Sequence, residues 1–126
     1  MGPQRTDPAM QTGQQEGIID LAHLAKYTGG EPKLDAEILT LFKDQTAELV
    51  QTLGAHLADG DAKGWRAVTH TLKGAARGVG AFAFADAAAA AEQCDPVGEK
   101  TAAAAALATL GREARQVQRF IDNYLR

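Results

Sequence analysis

Four side chains in the stretch WRAVTHTLKGAARGVG, residues 65–80, carry chemistry that ordinary core residues do not: Arg66, His70, Lys73 and Arg77. An α-helix turns by about 100° per residue. Lys73 therefore lies one turn after His70, Arg77 two turns after it and Arg66 one turn before it, all on one side. Imidazole offers a nitrogen nucleophile that is substantially uncharged near neutral pH, and three neighbouring cations favour that uncharged ring. Such a ring can attack phosphorus. Phosphoryl transfer requires positioning and compensation of charge on the transferred oxygens, which an ammonium one turn away supplies. Gly74 adds open space beside the imidazole. Glycine inside a helix costs roughly 1 kcal/mol relative to alanine, and this chain uses alanine freely nearby. A close backbone approach accounts for it, either to a neighbouring helix or to a partner, and the helical angle favours the partner. Arg66 and Arg77 are then placed to attract an acidic partner surface, an effect that salt weakens.

Each of these residues also has a plainer explanation. An exposed histidine on a helix is most often a solvated side chain, and cations around it are an ordinary wet face. The combination of His70, Lys73 and Gly74 on one face argues for more than that.

The elements that must position this face are all helical. Ile18, Leu21, Leu24 or Ala25, and Tyr27 or Thr28 recur at helical spacing before Gly29 and Gly30 end a short first helix. From about Glu31 to Ala58 an apolar stripe of Ile38, Leu41, Phe42, Leu49, Leu53 and Leu57 predicts a long amphipathic helix. Asp61 is a suitable N-cap for the next helix, from Ala62 to about Arg77, with Gly78 and Gly80 as stops. Trp65, Val68, Leu72, Ala75 or Ala76, and Val79 form its apolar stripe. His70 lies about 160° around the axis from Val68 and Leu72, facing water. The alanine run after Phe82 and Phe84 predicts a helix over about Ala81 to Gln93, because strands are depleted in alanine. Asp95 as N-cap and Pro96 at the first position would open a last helix running to about Leu125. Its stripe is Leu107, Leu110, Ala114, Val117, Ile121 and Tyr124. Four sizeable helices with short connections predict an all-α fold, an antiparallel up-down-up-down four-helix bundle with the short helix packed across one end.

Residues 1–17, MGPQRTDPAMQTGQQEG, carry no apolar period and predict a flexible leader, leaving 18–126 as one domain. A chain of 126 residues, 45% hydrophobic and 23% charged, suits a single domain with a real core. The net charge of -3 excludes a general nucleic-acid binder, so any basic site is local. One cysteine, Cys94, allows no internal disulfide and fits a reducing compartment. No apolar run reaches the roughly 20 residues that span a bilayer, and no signal-peptide core is present. The expected location is cytoplasmic, with no membrane partner. His23, His56 and His70 lack the three-or-four spacing of metal ligands on one helix, so no metal site is expected. His56 falls beside the apolar stripe near the end of its helix, where packing or contact with helix-end carbonyls is the natural role, and Trp65 and Phe82 are expected in the core rather than in docking, although residues flanking the His70 stretch could border a partner surface.

The stretch HTLKGAARGVGAFAFADAAAAAEQ resembles the histidine-containing phosphotransfer (HPt) domain of bacterial two-component phosphorelays. That motif is a histidine, then Leu-Lys-Gly, then a glycine ten residues after the histidine. The matching positions are His70, Leu72, Lys73, Gly74 and Gly80, with Glu92 near the usual acidic position that ends the following helix. IDLAHLAKYTGGEPKLDAEILTLF and DGDAKGWRAVTH extend the likeness back to about Ile18. The resemblance implies that His70 carries a phosphoryl group between the aspartates of receiver domains. It also implies that Lys73 helps neutralise that group, that Gly74 opens the docking surface and that Gly80 permits a tight turn between helices. The implied partners are response-regulator receiver domains and a hybrid histidine kinase, with this chain acting as a monomer. The implied Mg2+ belongs to the receiver's acidic pocket, and no cofactor belongs to this chain.

Two other classes share part of this pattern. A histidine-kinase dimerisation domain resembles H-E-x-x-T-P after its histidine, and the acid and proline are missing here. No phosphate loop of the G-x-x-x-x-G-K-[ST] type occurs either, so self-phosphorylation from ATP is not expected. A non-catalytic helical docking module, binding a signalling partner through the His70 face, is the alternative that a fold alone does not exclude.

Overall fold

The computed structural model describes residues 18–126, so the expected leader, residues 1–17, lies outside the described residues. Five helices account for the described part, and no strand occurs among those residues: α1 (Leu21–Thr28), α2 (Pro32–Asp59), α3 (Ala62–Val79), α4 (Phe82–Glu92) and α5 (Lys100–Tyr124). The long helices close a ring of contacts, α2 on α3, α3 on α4, α4 on α5 and α5 back on α2, while α1 touches α2 and α3. The molecule is a helical bundle.

The core lies inside that ring. α2 contributes Leu39, Phe42 and Leu53, α3 contributes Trp65, Leu72, Ala76 and Val79, and α5 contributes Leu110, Val117 and Ile121. α4 differs in kind. Its inward side is Phe84 with Ala85, Ala88 and Ala91, and these small residues let its axis come close to both neighbours. The Trp65 side chain is fully buried, and its indole N–H donates to the Ala91 carbonyl at 2.8 Å. Burial of a side chain of this size stabilises by on the order of 2–3 kcal/mol. The hydrogen bond fixes where the end of α4 lies against α3.

Helix ends follow the chemistry of their caps. The Asp61 carboxylate accepts from the Gly64 N–H at 2.8 Å, as an N-cap should. Its other oxygen faces His56 Nδ1 at 3.2 Å. His56 is mostly covered, as the packing alternative expects, and it spans the α2–α3 turn to a carboxylate rather than to a helix-end carbonyl. A Cβ on Gly64 would come within 2.6 Å of both groups, which explains the glycine.

Several expectations need correction. Gly78 lies inside α3, and Gly80 alone caps it. Leu41 is exposed, its place in the α2 core taken by Leu39. Phe82 is 40% exposed, outside the core. α5 begins at Lys100, four residues later than Asp95 and Pro96 suggested. The Asp95 carboxylate accepts from the Val97 N–H at 2.9 Å, and its backbone carbonyl accepts from Glu99 N at 2.8 Å. Asp95 therefore organises a turn ahead of the helix. Among the described residues, no helix is long and apolar enough to cross a membrane.

Candidate functional site

α3 presents one wet side and one dry side. Trp65, Thr69, Leu72, Ala76 and Val79 are buried, and the Thr69 hydroxyl folds back to donate to the Trp65 carbonyl at 2.9 Å. His70 points away from that stripe with 70% of its side chain exposed, as its angle predicts. α4 then brings its last residue alongside. Glu92 Oε2 lies 3.1 Å from His70 Nδ1, and Glu92 Oε1 accepts from Lys73 Nζ at 2.6 Å. One carboxylate thus holds the imidazole and the ammonium together.

This geometry changes the electrostatics expected from sequence. The group in contact with the ring is an anion, and Lys73 is already engaged by it. Lys73 and Glu92 are mostly covered, at 21% and 15% side-chain exposure, so the pair is less screened than an exposed one. The Lys73 hydrogen bond, with His70 contributing, holds the Glu92 carboxyl below the usual carboxylate range against the opposing effect of burial. Glu92 stays ionised at neutral pH. An ionised carboxylate only accepts, so the Nδ1 that faces it carries a proton, and in the neutral ring this leaves the lone pair on Nε2.

The sign of the linkage follows. A carboxyl held low in the fold contributes stability above its unfolded value and loses it as pH falls through its folded value. The Glu92→Gln variant should therefore lose less stability than the wild type between about pH 5 and pH 3, the range that brackets ordinary carboxylates. Thermal unfolding midpoints of the two proteins across that range measure the difference. Parallel acid limbs would show that the pair contributes nothing.

The glycines divide into two kinds. A Cβ on Gly74 would meet nothing within 4 Å, so no neighbouring helix explains this residue, and the space beside His70 opens outward. Gly80 has φ +88° and lies against the chain entering α1: a Cβ there would sit 2.6 Å from the Asp20 carbonyl oxygen. The Asp20 N–H donates to the Gly80 carbonyl at 2.9 Å. The glycine that resembles a motif position is thus the point where α1 is tied to the α3–α4 turn.

The two arginines part company. Both are exposed. Arg66 lies near enough to Asp95 to help hold that carboxyl low, after the Val97 and Gly98 N–H groups. Neither arginine makes an ion pair within 4.0 Å among the described residues. Glu92 is the residue whose part the spacing alone did not reveal. The available signal is compositional, since Asp86 and Glu92 are the only ionisable side chains of α4. His23 packs edge-on against Phe82 and Tyr27, and Cys94 is half-buried after α4.

Comparison with known proteins bears on this arrangement. A family model described as the Hpt domain matches residues 37–123, a span that holds α3, α4 and all three residues of the His70 cluster. No curated protein and no solved structure gave a match.

Proposed function

The chain belongs to the Hpt domain family, whose general activity is histidine phosphotransfer in phosphorelays, and from that premise we propose that His70 is its phosphoryl carrier. The contact of Glu92 with both His70 and Lys73 is the observation that carries the assignment. The ring of helix contacts supports an antiparallel up-down-up-down arrangement, which holds α3 and α4 side by side and so fixes this contact.

In the proposed step, the Nε2 lone pair attacks the phosphorus of a receiver's aspartyl phosphate. The N–P bond forms as the bond from phosphorus to the acyl oxygen breaks, and the aspartate leaves as a carboxylate. The proton on Nδ1 stays where it is. Positive charge developing on the ring is balanced by Glu92 at 3.1 Å, a fixed anion that needs no rearrangement during the reaction. The reverse sequence passes the group to a second receiver. Lys73 has two parts in this scheme. It holds Glu92 in place before transfer, and, one helical turn from His70, it supplies positive charge to the phosphoryl oxygens afterwards. Mg2+ belongs to the receiver's pocket, and the exposed face around Gly74 admits that domain.

The test is transfer from a receiver charged with acetyl phosphate. The expected label on this protein is lost in acid and retained in alkali, as a phosphorus–nitrogen bond requires, and maps to His70. A folded protein that takes no label from any of several receivers would favour the docking module without phosphate chemistry.

A further inference from the structure

The outward side of α2 is left uncovered by the rest of the bundle. Lys33, Ala36, Glu37, Thr40, Leu41 and Asp44 line a shallow hollow of about 500 Å³ there, and no other helix contributes to it. Phe42 is buried in the core, and Lys33, Thr40 and Asp44 lie about 160–180° around the axis from it. Leu41, 68% exposed, is the large apolar side chain of α2 that the core leaves out. Thr40 adds little free polarity, because its hydroxyl already donates to the Ala36 carbonyl at 2.8 Å.

The charges at the two ends of this stripe have opposite sign. Lys33 and Asp44 point within about 20° of one direction and stand roughly 16 Å apart along the axis, too far to meet each other. Both are exposed, and neither forms an ion pair among the described residues. The stripe is also symmetric end for end. From Lys33 the steps are three, one, three, one and three residues, the same read from Asp44 backwards. A two-fold axis level with the midpoint between Glu37 and Thr40 therefore lays the stripe on its own copy, with Lys33 opposite Asp44 at both ends. Such self-complementarity is what an isologous pair requires.

We infer that this face joins two copies of the chain, α2 antiparallel to α2, through two Lys33–Asp44 contacts around a centre of paired Leu41 side chains. On one side of the axis the small Ala36 and Thr40 let the helices approach. On the other, Leu41 of each copy packs along the Glu37 stem of the second copy. The two Glu37 carboxylates are the one like-charge approach, and each has Lys33 of its own helix one turn away. Where the family resemblance implies a monomer, this face makes a reversible dimer. A single helix pair buries less than the roughly 1,200–2,000 Å² of a standard interface, so the association is weak and depends on protein concentration. His70 meets Glu92 on the α3–α4 side, away from this stripe, so pairing leaves both copies of that site open and does not depend on the phosphotransfer reading.

Charge exchange tests both the face and its direction. Sedimentation of the full chain from about 10 µM to about 1 mM should show a monomer–dimer equilibrium, weakened by salt. Lys33→Asp places like charges opposite each other at both ends, and so does Asp44→Lys. Each should raise the dissociation constant about tenfold or more. An equimolar mixture of these two variants has opposite charges at both contacts again, and should form a heterodimer within about threefold of the wild-type constant. Leu41→Ser should also loosen the pair. All three positions are exposed, so each variant should keep its helical circular dichroism and melting temperature. The inference is overturned if the wild type stays monomeric across the whole range. It is equally overturned if the wild type dimerises and the mixed variants give no more dimer than either alone, because the contact then lies on another face.

Discussion

His70→Gln is expected to take up no phosphoryl group from any receiver and to melt within about 0.5 kcal/mol of wild type, the usual span for a surface substitution. The amide N–H can still donate to Glu92, so the nearest carboxylate keeps a partner. What disappears is the ring nitrogen lone pair, for which an amide has no nucleophilic substitute. With 70% of the histidine side chain in solvent, little packing is lost. The checks are a label-transfer assay beside a thermal melt on the same preparation. Residual label at wild-type rate would move the carrier to another residue. A large fall in melting temperature would show that His70 is structural.

Gly80→Ala is expected to have the largest effect on stability of any glycine-to-alanine change among the described residues. A residue with a side chain is strained by about 1–2 kcal/mol in the left-handed region, and φ here is +88°. The new Cβ would lie 2.6 Å from a backbone oxygen, that of Asp20, which cannot rotate away as a flexible side chain would. Relief requires breaking the Asp20–Gly80 hydrogen bond and shifting α1. The sum is about 2–4 kcal/mol, or a fall on the order of 10 °C in the unfolding midpoint. Gly74→Ala is the contrast, because a methyl there meets only open space and improves helix propensity. Stabilities of the two variants that proved alike would refute the difference assigned to the two glycines.

Much of this architecture is legible in the sequence. α3 was the clearest element, since Asp61 caps it by side chain, Gly80 stops it, and its buried residues recur every three or four positions. The exposure of His70 followed from the same periodicity. The start of α5 did not. An aspartate followed by proline reads as a helix start, yet the same pair makes a turn when the carboxylate accepts from the N–H two residues on, as Asp95 does from Val97. Leu41 and Phe82 misled for a related reason. Hydropathy identifies residues that can be buried, whereas the neighbouring helix decides which of them are. The site was half legible in the same sense. His70, Lys73 and Gly74 share one helix, and helical geometry alone relates them. Glu92 comes from another helix, and its contact depends on the lateral position of α4, which nothing in an alanine-rich sequence specifies. The two arginines looked equivalent by angle and differ because the Asp95 turn lies beside only one of them.

The buried indole has an optical consequence. Trp65 is the only tryptophan in the chain, and its N–H is bonded to the carbonyl of Ala91, the residue immediately before Glu92. Its intrinsic fluorescence therefore reports one specific junction, the seating of the end of α4 on α3. Emission from so dry an environment lies to the blue and moves to the red when water enters. A substitution that silences phosphotransfer by freeing Glu92 from its helix would announce itself in that colour, whereas one that only removes the nucleophile would leave the spectrum unchanged.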